Sequence, residues 1–336
     1  MTSAAARAAP APHPRRALPL RVGTRASPLA LFQTRDFLAR ISQFCPVLTM
    51  PSPDGTPHFQ EHAIRTTGDA VLDRPLAEIG GKGLFAKEIH EALLDRRIDF
   101  AVHSLKDLET ALPPGIVLAC TLKREDARDV LILPENAPEP DQADPFASLP
   151  AGAVVGTSSV RRQAQLLYRR PDLRIALLRG NVKTRLDRVR NGDFDASLLA
   201  LAGLRRLGFT GPNQTVLDPE AMVPSAGQGI VGVTVRAEDT ALRELLAAIE
   251  DPEARAVSTA ERTMLALLDG SCRTPIGGYA RLLPTGELHL TGLVARADGS
   301  FLLKRSLHGP AADAARLGAE LGAELRAGSP SDIFAA

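Results

Sequence analysis

A strand–turn–helix unit that recurs along the chain, and restarts after a proline-rich break, most limits how these 336 residues can fold. The first copy reads Leu20–Gly23 as strand, Thr24–Ser27 as turn and Pro28 onward as helix. Ser27 suits the N-cap and Pro28 the first helical position, where a missing N–H costs nothing. Leu31, Thr34, Leu38 and Ile41 follow at helical spacing. A strand at Ala63–Thr66 leads into a polar, glycine-bearing loop and then a helix over Phe85–Arg96. The next strand, Asp99–His103, delivers HSLKD (103–107) at its carboxyl end. A crossing between units falls near Lys123–Arg128, and Glu135–Pro150 is a proline- and acid-rich loop.

The theme then restarts. Strands are expected at Ala153–Gly156, Arg174–Leu178 and Asp195–Ala200, each followed by a turn and a helix: Val160–Arg169, Val182–Arg190 and Leu201–Leu207. Such alternation predicts mainly parallel sheets covered by helices, with ligands bound beyond the carboxyl ends of the strands. Those ends carry Arg25, Lys106, Arg161, Arg162, Arg179 and Arg185. Two lobes presenting cations and helix N-termini make a cleft for anions. The final part differs. Three segments joined by PTGE and ADGS (Gly278–Leu283, Leu288–Arg296, Phe301–Leu307) read as antiparallel strands, and an amphipathic helix, Ala311–Arg326, follows.

Composition narrows the function classes. No apolar run approaches the ~18 residues of a membrane span. A net charge of +1 gives no global field for nucleic acid, and 4% aromatic content with no Trp offers few stacking platforms. The N-terminal MTSAAARAAPAPHPRRALPL lacks the apolar block of a secretory signal; its Arg content and lack of acids admit a transit peptide, but its prolines favour a short disordered tail. Three cysteines argue against a disulfide framework and for a reducing compartment. Cys45 and Cys120 sit among apolar neighbours, whereas Cys272, in LDGSCRTPIGG, sits in a loop beside Arg273. The helix before it, Val257–Leu268, is expected to close at Asp269–Gly270, with glycine taking the left-handed conformation. A loop thiol beside a guanidinium gains thiolate character. GQGIVG (227–232) has dinucleotide-fingerprint spacing, but Ile230–Arg236 alternates like a strand where a helix is required. HFQEH (58–62) has zinc-protease spacing, but the prolines before it favour a solvated loop over the helix such a site needs. With no CxxC or Cys/His cluster, no metal site is expected.

A loop thiol, an acid at a strand end and many guanidinium groups on one cleft call for a polycarboxylate substrate attached through sulfur. The chain resembles the porphobilinogen deaminase (hydroxymethylbilane synthase) family over roughly residues 20–330. The resemblance rests on RVGTRASPLAL, GGKGLFAKEI, AVHSLKD, REDARD, GTSSVRRQ, LRGNVKTRL, AGLRRLG, PSAGQG and GSCRTPIGGYA, in family order. It implies a transferase of porphyrin and haem biosynthesis. Such an enzyme joins four porphobilinogen molecules with release of ammonia and frees the linear tetrapyrrole hydroxymethylbilane. It implies a dipyrromethane cofactor on Cys272 through a thioether and Asp107 as catalytic acid. Lys106, Ser158, Arg161, Arg162, Arg185 and Arg206 would hold that cofactor. Arg25, Ser27, Lys82, Thr157, Ser159, Arg179 and Gln228 would hold substrate.

The implied fold is α/β in three domains, the first two resembling periplasmic-binding-protein lobes. Beyond a tail at 1–17, domain one would comprise 18–124 plus 229–247 and domain two 125–228. Domain three, 248–336, would be a small three-stranded antiparallel sheet with helices. A cytoplasmic monomer passing its product to uroporphyrinogen III synthase is expected. Some features depart from the family: Glu109 where many relatives have Pro, Glu78 for a common Lys, Ser271 for a frequent Gly, and an apparent insertion at Met50–Gln60. The competing class is a non-catalytic two-lobed protein that binds anionic solutes, an architecture fold alone would permit.

Overall fold

The computed structural model describes residues 18–45, 48, 55–71, 74, 83–138, 140–141, 143–211, 213–270 and 274–334. The expected tail, Met50–Asp54 of the insertion, Glu78, Lys82 and Ser271–Arg273 with the Cys272 thiol lie outside the described residues.

Among those residues the strands are β1 (Leu20–Arg25), β2 (Phe59–Ile64), β3 (Phe100–Ser104), β4 (Ile116–Thr121), β5 (Asp129–Ile132), β6 (Val154–Gly156), β7 (Arg174–Ala176), β8 (Ala196–Ala200), β9 (Gln214–Val216), β10 (Val231–Arg236), β11 (Ile276–Leu282), β12 (Glu287–Ala295) and β13 (Leu302–Pro310). They form three sheets, ordered β2-β1-β3-β10-β4, β7-β6-β8-β5-β9 and β11-β12-β13. In the first, β1 runs parallel to β2 and β3, and β10 is antiparallel to both β3 and β4. Four strands therefore point one way and β10 is reversed. The second sheet repeats this plan with β5 as the reversed strand. The third is wholly antiparallel.

The reversed strands come from the crossings. The chain leaves the first sheet after β4, enters the second as β5, and returns as β10. Its two crossing segments run side by side, with Leu122 N–H donating to Val231 O and Glu125 N–H to Gly229 O. Gly229 is required there: its φ is +88°, and a Cβ would stand 2.3 Å from the Glu125 carbonyl oxygen. All six residues of β10 are buried, as a central strand demands.

Packing follows the sheets. Val22, Phe37, Ile41, Phe100 and Val233 form one core with buried Cys45 and Cys120. The second sheet is covered on both faces, by Leu131, Val155 and Leu198 on one side and by Val130, Leu178 and Leu199 on the other. Helices Pro252–Leu267 and Ala314–Ala327 close over the third sheet through Met264, Leu290 and Leu321.

Some local expectations change, among them the strand expected at Ala63–Thr66, which is Phe59–Ile64. HFQEH is not a solvated loop, because Phe59–His62 pair with β1 as an edge strand. The helix expected over Phe85–Arg96 spans only Lys87–Leu94. The helix before Cys272 is closed by Asp269, at φ +50°, rather than by Gly270. Gly270 is needed for space: a Cβ there would sit 2.1 Å from Leu265 Cδ1.

Candidate functional site

Parallel strands place their carboxyl ends on one rim of each sheet, and the two rims face each other across a cleft of about 490 Å³. Helix starts line it at Ser27–Ala30, Ser158–Val160 and Gly180–Lys183, and at Ala200, Ala202 and Gly203. Ser27, Ser159 and Asn181 each accept a hydrogen bond from the first turn of their helix. These ends carry partial positive charge. Arg25, Lys106, Arg161, Arg162, Lys183, Arg185 and Arg206 add full charges, and Asp107 is the only carboxylate among the described lining residues.

Asp107 closes the single 3-10 turn Leu105–Asp107 that follows β3. Its Oδ2 accepts a hydrogen bond from Arg25 Nη1 at 2.9 Å. The same guanidinium donates through Nη2 and Nε to Asp69, at 2.5 and 3.3 Å, and lies 4.2 Å from the Phe85 ring centroid. Arg25 is therefore fixed on three sides. Lys106, beside Asp107, donates to Gln228 Oε1 at 3.3 Å. Burial pushes its ammonium down to about 8, Arg162 and Arg161 push the same way, and Asp107 and Asp129 oppose.

On the opposite rim, Arg161 and Arg162 are almost fully buried and share Asp129, each at 2.8 Å. Gln228 Nε2 donates to the same carboxylate at 2.8 Å. Burial disfavours the Asp129 charge, but the paired guanidiniums outweigh it and hold the carboxyl well below its usual range. Arg161 spends its remaining terminal nitrogen on Val223 O, and Arg162 spends its own on Leu198 O. Arg162 Nε is buried with no hydrogen-bond partner among the described residues. Burial, Arg162 and Arg179 together push Arg185 down to about 10. Arg206 donates to Gly229 O at the crossing.

Of the residues expected at the site, Arg25, Ser27, Lys106, Asp107, Ser158, Ser159, Arg161, Arg162, Arg185, Arg206 and Gln228 line one cleft. Thr157 stands behind the lining, its hydroxyl accepting from Ser159 N–H. Arg179 reaches from the second lobe to the first, donating to Gly68 O at 2.7 Å and to Arg74 O at 3.4 Å. Lys82 and Cys272 are outside the described residues, yet Thr274 and Ile276, just after the thiol loop, line the cleft. Sequence reasoning alone assigns no role to Asp129, Asp69 or Phe85. Asp129 closes the REDARD motif, the one local signal that could mark it.

Residues 20–244 match the family model described as "Porphobilinogen deaminase, dipyromethane cofactor binding domain", and residues 256–327 match "Porphobilinogen deaminase, C-terminal domain". A porphobilinogen deaminase of Paracoccus denitrificans is 46% identical over 316 residues, 94% of this chain and 96% of that protein. One from Nitrobacter winogradskyi is 47% identical over 317 residues, 93% of this chain and 94% of that protein. The VFT2 domain of Bordetella pertussis BvgS gives a TM-score of 0.41 at 15% identity, over 68% of this chain and 85% of that one.

Proposed function

The chain belongs to the porphobilinogen deaminase family, and from that premise we propose how its residues divide the work. The enzyme is a transferase of tetrapyrrole biosynthesis that joins four porphobilinogen units, with loss of ammonia, into hydroxymethylbilane. The covalent dipyrromethane supplies the pyrrole end on which the new chain is built.

The residues present suit such a group. A polycarboxylate needs buried, unspent donors, and Arg162 Nε is one. Lys106 and Arg185 are cations held in a cleft that disfavours their charge, so an incoming carboxylate relieves them. We assign Cys272 as the attachment point, supported by the cleft-lining residues that directly follow its loop. Lys106, Ser158, Arg161, Arg162, Arg185 and Arg206 hold the cofactor's carboxylates. Arg161 and Arg162 each have both terminal nitrogens bound within the protein, so they draw the cofactor's carboxylates to this rim through their charge. Arg25, Ser27, Lys82, Thr157, Ser159, Arg179 and Gln228 hold substrate.

The carrying observation is Asp107, one carboxylate facing a cleft of cations. Paired with the protonated amine of the substrate, it can guide that proton as ammonia leaves, offset the positive charge developing on the pyrrole, and take up the proton released when the new carbon–carbon bond forms. Arg25 holds it for these tasks. The domain division 18–124 plus 229–247, 125–228 and 248–336 is part of the proposal, supported by β10 pairing with β3 and β4. A cytoplasmic monomer handing its product to uroporphyrinogen III synthase completes the reading and rests on family membership alone.

Whole-protein mass tests it. Purified protein should carry two extra pyrrole units, absent from Cys272→Ser and retained in Cys45→Ser and Cys120→Ser. Asp107→Asn should keep the fold and lose at least ~10² in turnover. An unmodified mass would return the chain to the class of simple anion binders, and an active Asp107→Asn would move the chemistry to another group.

A further inference from the structure

Two residues after Asp107 the chain carries a second carboxylate, Glu109, that does not line the cleft. It points the other way, into the body of the first lobe. There its Oε2 lies 3.9 Å from Nδ1 of His90, on the helix Lys87–Leu94. The His90 side chain is 3% exposed and that of Glu109 15%. Oε1 occupies the space in front of Gly83, where a Cβ would stand 1.9 Å from it. Glycine at 83, with φ +77°, leaves the space that this carboxylate fills. Behind His90 lies His103 of β3, with ring centroids 5.9 Å apart, and His103 Nε2 pairs with Thr234 Oγ1 of β10. The same short stretch is gripped through its backbone. Arg262, on the helix Pro252–Leu267, donates to Glu109 O at 2.6 Å, Thr110 O at 3.2 Å and Leu108 O at 3.4 Å.

The pairing is an odd investment for stability alone. Both ring nitrogens of His90 and Oε2 of Glu109 are buried without hydrogen-bond partners among the described residues. Burying such groups costs free energy that an apolar pair of the same shape would avoid. What the arrangement supplies is location. The strand entering the Leu105–Asp107 turn is fixed by β10, and the segment leaving it has no sheet partner until β4 begins at Ile116.

We propose that Glu109 is a positioning residue: its side chain, wedged between Gly83 and His90, acts with the Arg262 grip on the neighbouring carbonyls to hold the exit of the turn, and so fixes where Lys106 and Asp107 enter the cleft. The inference rests on the reading that Asp107 performs the acid chemistry. Glu109 touches no reacting atom. It acts by limiting the positions its neighbour two residues back can take, a restraint that matters because a misplacement of about 1 Å can cost as much as 10² in rate.

A covalent restraint should substitute for the tether. Proline at 109 fixes φ without any side-chain contact. With cofactor-loaded enzyme and porphobilinogen, Glu109→Ala should lower kcat roughly tenfold and leave KM within about twofold. Glu109→Pro should recover most of kcat while leaving the Gly83–His90 pocket empty. His90→Ala should behave like Glu109→Ala, and the double variant should be no worse than either single one. Mass spectrometry and thermal midpoints on the same samples give readouts independent of turnover, and loading should be that of wild type throughout. Wild-type kcat in Glu109→Ala, or a loss that proline deepens, would overturn the tether. If Glu109→Ala fails to fold, the Glu109→Pro and His90→Ala pair decides: a normal rate in His90→Ala, or a low one in Glu109→Pro, sinks it. Asp107→Asn run alongside separates the two claims. An inactive Asp107→Asn beside a fully active Glu109→Ala removes only the tether. An active Asp107→Asn removes the reading beneath it.

Discussion

Lys106 makes the site sensitive to pH at the scale of one residue. Lys106 is half-buried in the cleft wall, and desolvation there lowers its pKa from 10.5 to about 8. The charge is therefore present below about 8 and lost as pH rises through that value. Lys106 grips a cofactor carboxylate less firmly on the alkaline side, so the primer is seated more loosely and kcat/KM should show a falling limb at about pH 8 and above. Lys106→Arg keeps the charge at any working pH and should move the limb upward. Stability should run in the opposite direction. Between about 8 and 10.5 the unfolded chain binds more protons than the folded one at this position, so its contribution to stability rises with pH. Steady-state kinetics and urea denaturation over the same pH series should give slopes of opposite sign. Parallel slopes would place the responsible group elsewhere.

At the scale of elements, the crossing depends on Gly229. Gly229→Ala would carry both a left-handed backbone and a contact with the Glu125 carbonyl, and should cost about 2–4 kcal/mol. Gly152 has φ +71° and open space where a Cβ would project, with nothing within 4 Å, so Gly152→Ala measures the backbone part alone. Denaturant midpoints should separate the pair clearly, and equal midpoints would mean the crossing yields to the added methyl. Helices with local stop and start signals are legible in the sequence. Val160–Arg169 and Val182–Arg190 fall where their patterns place them, and Ser27–Pro28 caps its helix as read. Asp251–Pro252 is an equivalent signal, and it starts the helix before the thiol loop five residues ahead of Val257. β4, β5 and β9 carry no comparable local mark. They are short or flank a crossing, and what makes them strands is partners distant in sequence. The same holds in the cleft. Its cations can be read from turn positions, but Asp129 meets Arg161, Arg162 and Gln228 only once the second sheet and the return crossing are assembled.

Across the whole molecule, one buried pair joins the three sheets. Arg124, in the first crossing, meets Glu261 of the helix Pro252–Leu267 at 2.6 Å and also donates to Gln228 O and Ala280 O. Glu261, wholly buried, accepts from Gly227 N–H in the return crossing and from Ala280 N–H in β11. Removing one partner strands the other charge in the interior. Glu261→Ala should lose about 3–5 kcal/mol, the scale for breaking a buried ion pair. It should also broaden unfolding, because the sheets no longer melt together. A single transition of wild-type steepness by circular dichroism and tyrosine fluorescence would show that the sheets are coupled by other contacts.

The return of β10 also sets an order of events for a nascent chain. β3 and β4 are neighbours in sequence but not in the sheet, since β10 lies between them. Until Val231–Arg236 has left the ribosome, the first lobe has an open slot edged by two unpaired strands. Translation proceeds at about 5–20 residues per second. More than a hundred residues separate β4 from β10, so the slot stays open on the order of ten seconds. Unpaired strand edges invite wrong partners. The second lobe, whose strands β5 to β9 are contiguous in the chain, can close first. The half made first is thus completed last, and a ribosome stalled anywhere in the second lobe holds the first one unfinished.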